Sequence, residues 1–448
     1  MSSTTTVKDL VDPYGRTIRD LRISVTDRCN FRCTYCMPAE GMVWLPKTEV
    51  LTFEEIERLA RIVVEHFGVD GIRLTGGEPT MRAHLPVLVA KLAALSVPKD
   101  SASPLAGQPI DLAITTNGAT LANCVDELKL AGIGRVNISL DTLDRAKFEQ
   151  MTRRDELVRV LAGIDAAIGA GFSSVKINAV IERGVNDNEI LDLAEFGRSK
   201  GVEVRFIEFM PLDAEGHWLN DKVVSQDEIV ELISQAHPLE LVPARGAAPA
   251  DRWRYLDGVG TVGVIPSVTK PFCGDCDRVR LTADGQFRTC LFATTEFDLR
   301  DLMRSGADDA AVAAEVERAV GLEPAEVLDR RAAPAADRNL VARGAVAAVE
   351  RGAESLRRGR RGGVRLLAQV ELRALGRREP GDRLARPRLQ RRDRHREACR
   401  HREACGRSGD RERQRDREHH GHRSSSGGVV DARGRGTACA PSMREIHG

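Results

Sequence analysis

Two groups of three cysteines combine a residue type and a spacing that could do chemistry. In "SVTDRCNFRCTYCMP" (24–38), Cys29, Cys33 and Cys36 are spaced C-x3-C-x2-C. In "FCGDCDRVRLTADGQFRTCLF", Cys273, Cys276 and Cys290 are spaced C-x2-C-x13-C. A structural zinc site takes four ligands, and neither group has a fourth His or Cys close by in sequence. An iron–sulfur cube has four irons, each usually held by one thiolate. Three cysteines would leave one iron open to another ligand. Spacing alone leaves zinc open for both groups, with the fourth ligand supplied from elsewhere in the chain.

Other polar groups cluster in short motifs. "RLTGGEPTMR" (73–82), "TTNG" (115–118) and "NISLD" (137–141) could each be plain turn chemistry. As a set at successive strand ends they suggest a ligand-binding rim. Arg278-Val279-Arg280 follows the second C-x2-C, and an extended run would point both arginines to one face. They could be solvated or could hold an anion, for which the guanidinium fork suits phosphate. Arg22, Arg73, Lys176 and Arg205 stand on four separate strand signals. One such cation is commonly an ion-pair partner; four suggest a common anion if they point inward. Cys124 has no cysteine neighbour and reads as a buried small apolar residue.

These residues need a scaffold. β-rich runs occur at 21–25, 71–75, 112–116, 135–140, 175–180 and 204–209, with helical patterns between them. In "TFEEIERLARIVVEHFG" Thr52 and Glu55 form a capping box and Gly68 closes the helix. Six strands alternating with helices argue a parallel sheet with covered faces. The motifs sit just after strands, where such sheets place their sites. A partial or full β/α barrel is favoured over a doubly wound sheet, although the pattern alone does not separate them. Beyond about 210 the alternation stops.

The chain has 448 residues and ten cysteines. It lacks a long apolar run and a secretory-type N-terminus, so neither a membrane span nor export is expected, and a reducing cytoplasmic setting is. Residues 321–448 contain 31 Arg against 18 Asp+Glu, a net +13, which leaves −12 for 1–320. No lysine follows Lys270, and "HREAC" occurs twice, at 395–399 and 401–405. The tail reads as a disordered basic segment with at most two helices, at 340–358 and 363–375. Cys399, Cys405 and Cys439 read as free thiols, and specific nucleic-acid binding is not expected.

The C-x3-C-x2-C loop, with Tyr35 before its last cysteine, resembles the radical S-adenosylmethionine superfamily. "YGRTIRDLRISVTDRCNFRCTYCMP", "RFIEFMPL" and "CDRVRLTADGQFRTCLF" resemble, within it, the GTP 3′,8-cyclases of molybdenum cofactor biosynthesis, over about 10–320. The resemblance implies a partial β/α barrel (1–215), an auxiliary iron–sulfur and GTP-binding region (216–320), and the tail (321–448). It implies two 4Fe–4S clusters, on Cys29, Cys33 and Cys36 and on Cys273, Cys276 and Cys290. Tyr35, Gly77, Ser139 and Met210 match positions contacting S-adenosylmethionine. Arg22, Arg73, Thr115, Lys176, Arg205, Arg278 and Arg280 match positions contacting GTP, the last two also being the catalytic candidates. It implies hydrogen abstraction from C3′ of GTP by a 5′-deoxyadenosyl radical and attack of the carbon radical on C8. It also implies a flavodoxin- or ferredoxin-like reductant and transfer of the product to cyclic pyranopterin monophosphate synthase; a homodimer is one expected assembly. The family closes on a Gly-Gly segment reaching the active site, whereas this chain ends "SMREIHG". The alternatives are therefore a competent cyclase and an impaired iron–sulfur or nucleotide-binding homologue. The tail itself would suit either an out-of-frame coding region or a genuine extension.

Ordering a residue costs roughly 1–2 kcal/mol of backbone entropy, more than the sparse apolar residues of 321–448 can offset. Trimming the chain at about 320 should leave the fold and the iron content unchanged. Loss of either would make the tail part of the structure.

Overall fold

The computed structural model describes residues 7–39, 41–212, 218–243, 245–293 and 295–322. The expectations for the tail, including its helices and its three thiols, lie outside the described residues.

All six expected strands form: β1 (Asp20–Ser24), β2 (Gly71–Thr75), β3 (Asp111–Thr116), β4 (Arg135–Ser139), β5 (Ser174–Ile181) and β6 (Glu203–Glu208). They lie side by side in chain order and each neighbouring pair is parallel. A doubly wound sheet reverses its strand order at a switch point. Here the order never reverses, which is the arrangement of a partial β/α barrel. Helices α1 (Phe53–Phe67), α2 (Leu85–Ala93), α3 (Val125–Ala131), α4 (Arg145–Thr152), α5 (Leu157–Gly169) and α6 (Ile190–Lys200) make the crossovers. The α1 capping box is present, and Gly68 ends the helix at φ +63°, a left-handed conformation that favours glycine. Cys124 is half-buried at the start of α3 and not fully buried; its Sγ lies 3.7 Å from Thr120 O.

The second region adds strands to both edges. After α7 (Gln226–Ala236), β7 (Leu239–Val242), β8 (Asp251–Tyr255) and β9 (Thr261–Ile265) extend the sheet beyond β6. Then β10 (Arg278–Leu281) lies parallel to β1 at the opposite side, followed by antiparallel β11 (Gln286–Arg288) and β12 (Phe297–Asp298). The intervening segment 266–277 therefore crosses between the two sides of the six-strand core, and it carries Cys273 and Cys276. Helices α8 (Leu299–Arg304) and α9 (Asp309–Gly321) follow.

Strand alternation sorts side chains by face. Leu21, Ile23, Ile72, Leu74, Leu112, Ile114, Val136, Ile138, Ile177, Val204 and Phe206 form one face and are buried in the core. Each such burial contributes about 1.5–3 kcal/mol, so the register is strongly determined. The other face is polar: Arg22, Arg73, Thr115, Asn137, Ser139, Lys176, Asn178, Glu203 and Arg205 all share its parity.

Gly163 of α5 lets the helix approach the TTNG turn, since a Cβ there would collide with Gly118 O. Gly163→Ala should lower stability by about 1–3 kcal/mol. Gly169→Ala, with open space around its Cβ, should be neutral or stabilising by up to about 1 kcal/mol. Equal thermal midpoints for the two variants would refute this packing argument.

Candidate active site

The first cysteine loop follows β1 at the carboxyl end of the parallel strands. Gly77 N donates to Thr26 O (2.8 Å) and Glu78 N to Arg28 O (2.7 Å), so the Gly-Gly-Glu turn runs along the cysteine loop. A Cβ on Gly76 or Gly77 would strike the backbone of residues 26–28. In this structure the two glycines make room for that loop. Arg32 N donates to Thr152 O and Thr34 N to Met151 O, each at 2.9 Å. Arg153 Nη1 donates to Arg32 O and Met37 O, both at 3.1 Å, and Arg154 Nε to Asn30 O at 3.1 Å. Phe31 packs edge-on against Phe148 of α4, centroids 5.8 Å apart. The end of α4 thus clamps the loop; sequence reasoning missed this because "TRR" after a helix carries no distinctive signal.

Burial pushes the Cys29, Cys33 and Cys36 thiols up, and the charges of neighbouring thiols add to this for Cys33 and Cys36. Cys29 Sγ accepts from Phe31 N at 3.4 Å. The second group converges likewise: burial raises Cys290, Cys273 and Cys276 raise it further, and Arg280 opposes them. Because β10 is parallel to β1, Cys276 lies at the amino end of the strands. Antiparallel β11 brings Cys290 back to that same end. The two groups therefore lie at opposite ends of the inner face, separated by about 13 Å of strand at ~3.3 Å per residue.

A cube takes one thiolate per iron, so a trio of cysteines suits such a cluster with one iron left for another ligand, whereas a zinc ion would need a fourth ligand beside the three thiols.

The S-adenosylmethionine candidates gather near the first group. Tyr35 and Met210 pack with Phe209, Trp218, Val223 and Val268. Tyr35 OH donates to Asp141 Oδ2 (2.9 Å), and Asp141 Oδ1 accepts from Val180 N (2.8 Å). Burial pushes Asp141 up to about 6 despite these bonds. Gly77 lies on the cysteine loop, and Ser139 ends β4 level with Asn178.

The GTP candidates share the inner face. Arg22 pairs in register with Arg280 on one side and Arg73 on the other. Arg22 Nε and Arg73 Nε and Nη1 are buried without a hydrogen-bond partner. Burial lowers all three guanidiniums, and Arg22 lowers both Arg73 and Arg280 further. Thr115 and Lys176 flank Asn137 on the neighbouring strands, and Arg205 Nε bonds Glu203 Oε1 at 2.6 Å. Arg278 is already engaged: Nη2 donates to Ala247 O (2.6 Å) and its guanidinium lies 5.1 Å from the Phe272 centroid. It is 7% exposed, so it has a packing role beside any role toward a ligand.

Three buried carboxylates tie the rim together. Glu78 accepts from Thr116 Oγ1 and Asn117 N, Asp141 from Tyr35 and Val180, and Glu208 from Gln226 N, Val268 N and Thr269 N. All lie within quoted motifs, but nothing in the sequence distinguished them from turn residues.

The Radical SAM superfamily model matches residues 23–197 and the Molybdenum Cofactor Synthesis C model residues 202–327. A Corynebacterium glutamicum GTP 3′,8-cyclase is 49% identical over 312 residues, 68% of this chain and 80% of that protein. The Mycolicibacterium smegmatis GTP 3′,8-cyclase is 47% identical, over 70% and 86%. The chain belongs to the GTP 3′,8-cyclase family. A Streptococcus suis SuiB structure bound to S-adenosylmethionine is 15% identical, with a TM-score of 0.44, over 67% of this chain and 68% of that one. Membership of the radical S-adenosylmethionine superfamily implies one 4Fe–4S cluster and S-adenosylmethionine, which the Cys29–Cys33–Cys36 loop and its rim fit.

Arg153 stands at φ +56°, so Arg153→Gly removes the guanidinium while easing the backbone. Each lost hydrogen bond is worth roughly 0.5–1.5 kcal/mol. Amide exchange across 31–37 in the metal-free protein should therefore speed up on the order of tenfold or more, with the thermal midpoint held. Unchanged exchange would show that the clamp does not order the loop.

Proposed function

We propose that this chain converts GTP to (8S)-3′,8-cyclo-7,8-dihydroguanosine 5′-triphosphate, the first step of molybdenum cofactor biosynthesis. One observation carries the reading. Arg22, Arg73 and Arg280 stand side by side between two cysteine trios, and N–H groups of Arg22 and Arg73 are buried without a hydrogen-bond partner. Buried N–H donors without hydrogen-bond partners are costly, and a triphosphate relieves that cost. The named relatives supply the nucleotide.

Cys29, Cys33 and Cys36 would hold the first cluster, which when bound would supply the electron for reductive cleavage of S-adenosylmethionine to a 5′-deoxyadenosyl radical. Tyr35, Gly77, Ser139 and Met210 would hold S-adenosylmethionine at the carboxyl end of the strands. Cys273, Cys276 and Cys290 would hold a second 4Fe–4S cluster at the amino end. Arg22, Arg73, Thr115, Lys176, Arg205, Arg278 and Arg280 would hold GTP between them, with C3′ toward the first cluster. The apolar Tyr35–Met210 cluster would exclude water from the radical's path.

In this reading residues 1–215 form the barrel core and 216–320 the auxiliary region. A flavodoxin- or ferredoxin-like protein supplies electrons, and cyclic pyranopterin monophosphate synthase takes the product. The enzyme works in the cytoplasm, with a homodimer as the assembly to test. Among the described residues no helix is long and apolar enough to cross a membrane.

Anaerobically reconstituted protein should form the cyclic product from GTP and S-adenosylmethionine, and its absence would refute the activity. Iron should reach about eight per chain, falling to about four when Cys29, Cys33 and Cys36 are all changed to Ala. Zinc without iron at the second trio would refute the two-cluster arrangement. A charge-assisted contact is worth roughly 1.5–3 kcal/mol, so Arg280→Ala should weaken GTP binding about tenfold or more with little change in melting temperature.

A further inference from the structure

We propose that Glu203 is a positioning residue of the triphosphate site: one carboxylate oxygen holds Lys176 and Arg205 as a pair, and the other ties them to the strands added beside β6. This rests on the reading of the inner face as the GTP site.

Glu203 opens β6 and is 8% exposed. Its Oε1 accepts from Arg205 Nε at 2.6 Å and lies 3.3 Å from Lys176 Nζ, its register partner on β5. Its Oε2 accepts from Arg252 Nε of β8 and Thr261 Oγ1 of β9, both at 2.8 Å. The carboxylate is thus saturated and has no free role toward a ligand. An arginine fixed through Nε keeps its terminal fork for a phosphate, and an ammonium held by one partner keeps two further donors.

The arrangement also governs charge. Burial, with Arg205 and Arg252 adding to it, lowers Lys176 to about 8, and Glu203 opposes the fall. Burial acts to raise Glu203, but Arg205 and Lys176 outweigh it and hold the carboxyl at about 2. The charged groups facing Lys176 are Glu203 and Arg205 on β6 and Arg252 on β8; its β4 partner, Asn137, is uncharged. A bound triphosphate favours the ammonium, so binding near or above pH 8 takes up a proton. Removing Glu203 lowers the Lys176 pKa and brings that uptake to lower pH.

The test is calorimetric titration of GTP into the anaerobic holoenzyme without S-adenosylmethionine. It runs from about pH 7 to about pH 8.5, in buffers of different ionisation enthalpy, and yields protons taken up per GTP. The terminal phosphate, with a pKa of about 6, contributes little above about pH 7.5. In the wild type, uptake should rise as pH passes about 8. An opposite charge at this range shifts a pKa by roughly 1–3 units, so Glu203→Gln should move the uptake curve down by about one unit or more. It should also weaken binding at pH 8 roughly tenfold. Glu203→Asp, which keeps the charge, should recover part of both. Lys176→Gln should abolish the uptake. Arg252→Gln, at a partly exposed position, removes a like charge that lowers Lys176 as well as loosening the Oε2 anchor; it should shift the curve by less and in the opposite direction, to higher pH, and it serves if Glu203→Gln fails to fold. Superposition of both the Glu203→Gln and Arg252→Gln curves on the wild type, or uptake that persists in Lys176→Gln, overturns the proposal. Failure of the wild type to bind GTP overturns the site reading itself, and this inference with it.

Discussion

Arg22, Arg73 and Arg280 occupy one level of three adjacent strands, and neighbouring strands lie about 4.8 Å apart. Three like charges at that spacing, partly withdrawn from water, repel one another and lack the solvation they would have outside. Nothing local favours the arrangement. It persists because the opposite face of the same strands is a continuous apolar layer, and slipping any strand by one residue would exchange the two faces. The core therefore holds the cations in place, and nearby carboxylates offset part of their charge. Asp20 lies 3.7 Å from Arg22, while Glu203 takes Arg205 and Lys176.

The same parallel register separates the two cysteine groups. A loop after β1 must sit at the carboxyl end, and a loop before a strand parallel to β1 must sit at the amino end. Because β9 and β10 flank opposite sides of the six-strand core, the chain between them has to cross from one side to the other with Cys273 and Cys276. The inner face thus has a thiol group at each end and cations between.

Buried carboxylates hold the rim by accepting backbone N–H groups from the next loop, as Glu78 does from Asn117 and Glu208 from Val268 and Thr269. Such bonds satisfy donors that loops would otherwise leave unpaired. They also leave the site less dependent on the loops' own weak local preferences.

The β-rich runs placed all six core strands to within about two residues, because the preference of β-branched and apolar residues for a strand is local. The capping box and Gly68 set α1 by the same local logic. Cysteine spacing limited each group to a metal site, since thiols so close in sequence have few other uses. Strand parity brought Arg22, Arg73, Lys176 and Arg205 to one face once a parallel sheet was accepted. What the chain order could not supply was which strands become neighbours across long separations. That Arg280 would lie beside Arg22, that the segment 266–277 would cross the core, and that Arg153 would clamp the cysteine loop all depend on contacts between residues far apart in sequence. The engagement of Arg278 by Ala247 and Phe272, and of Glu203 by Arg252 and Thr261, belongs to the same class. Those contacts form only when the added strands dock on the two sides of the core, so the tertiary structure alone decides them.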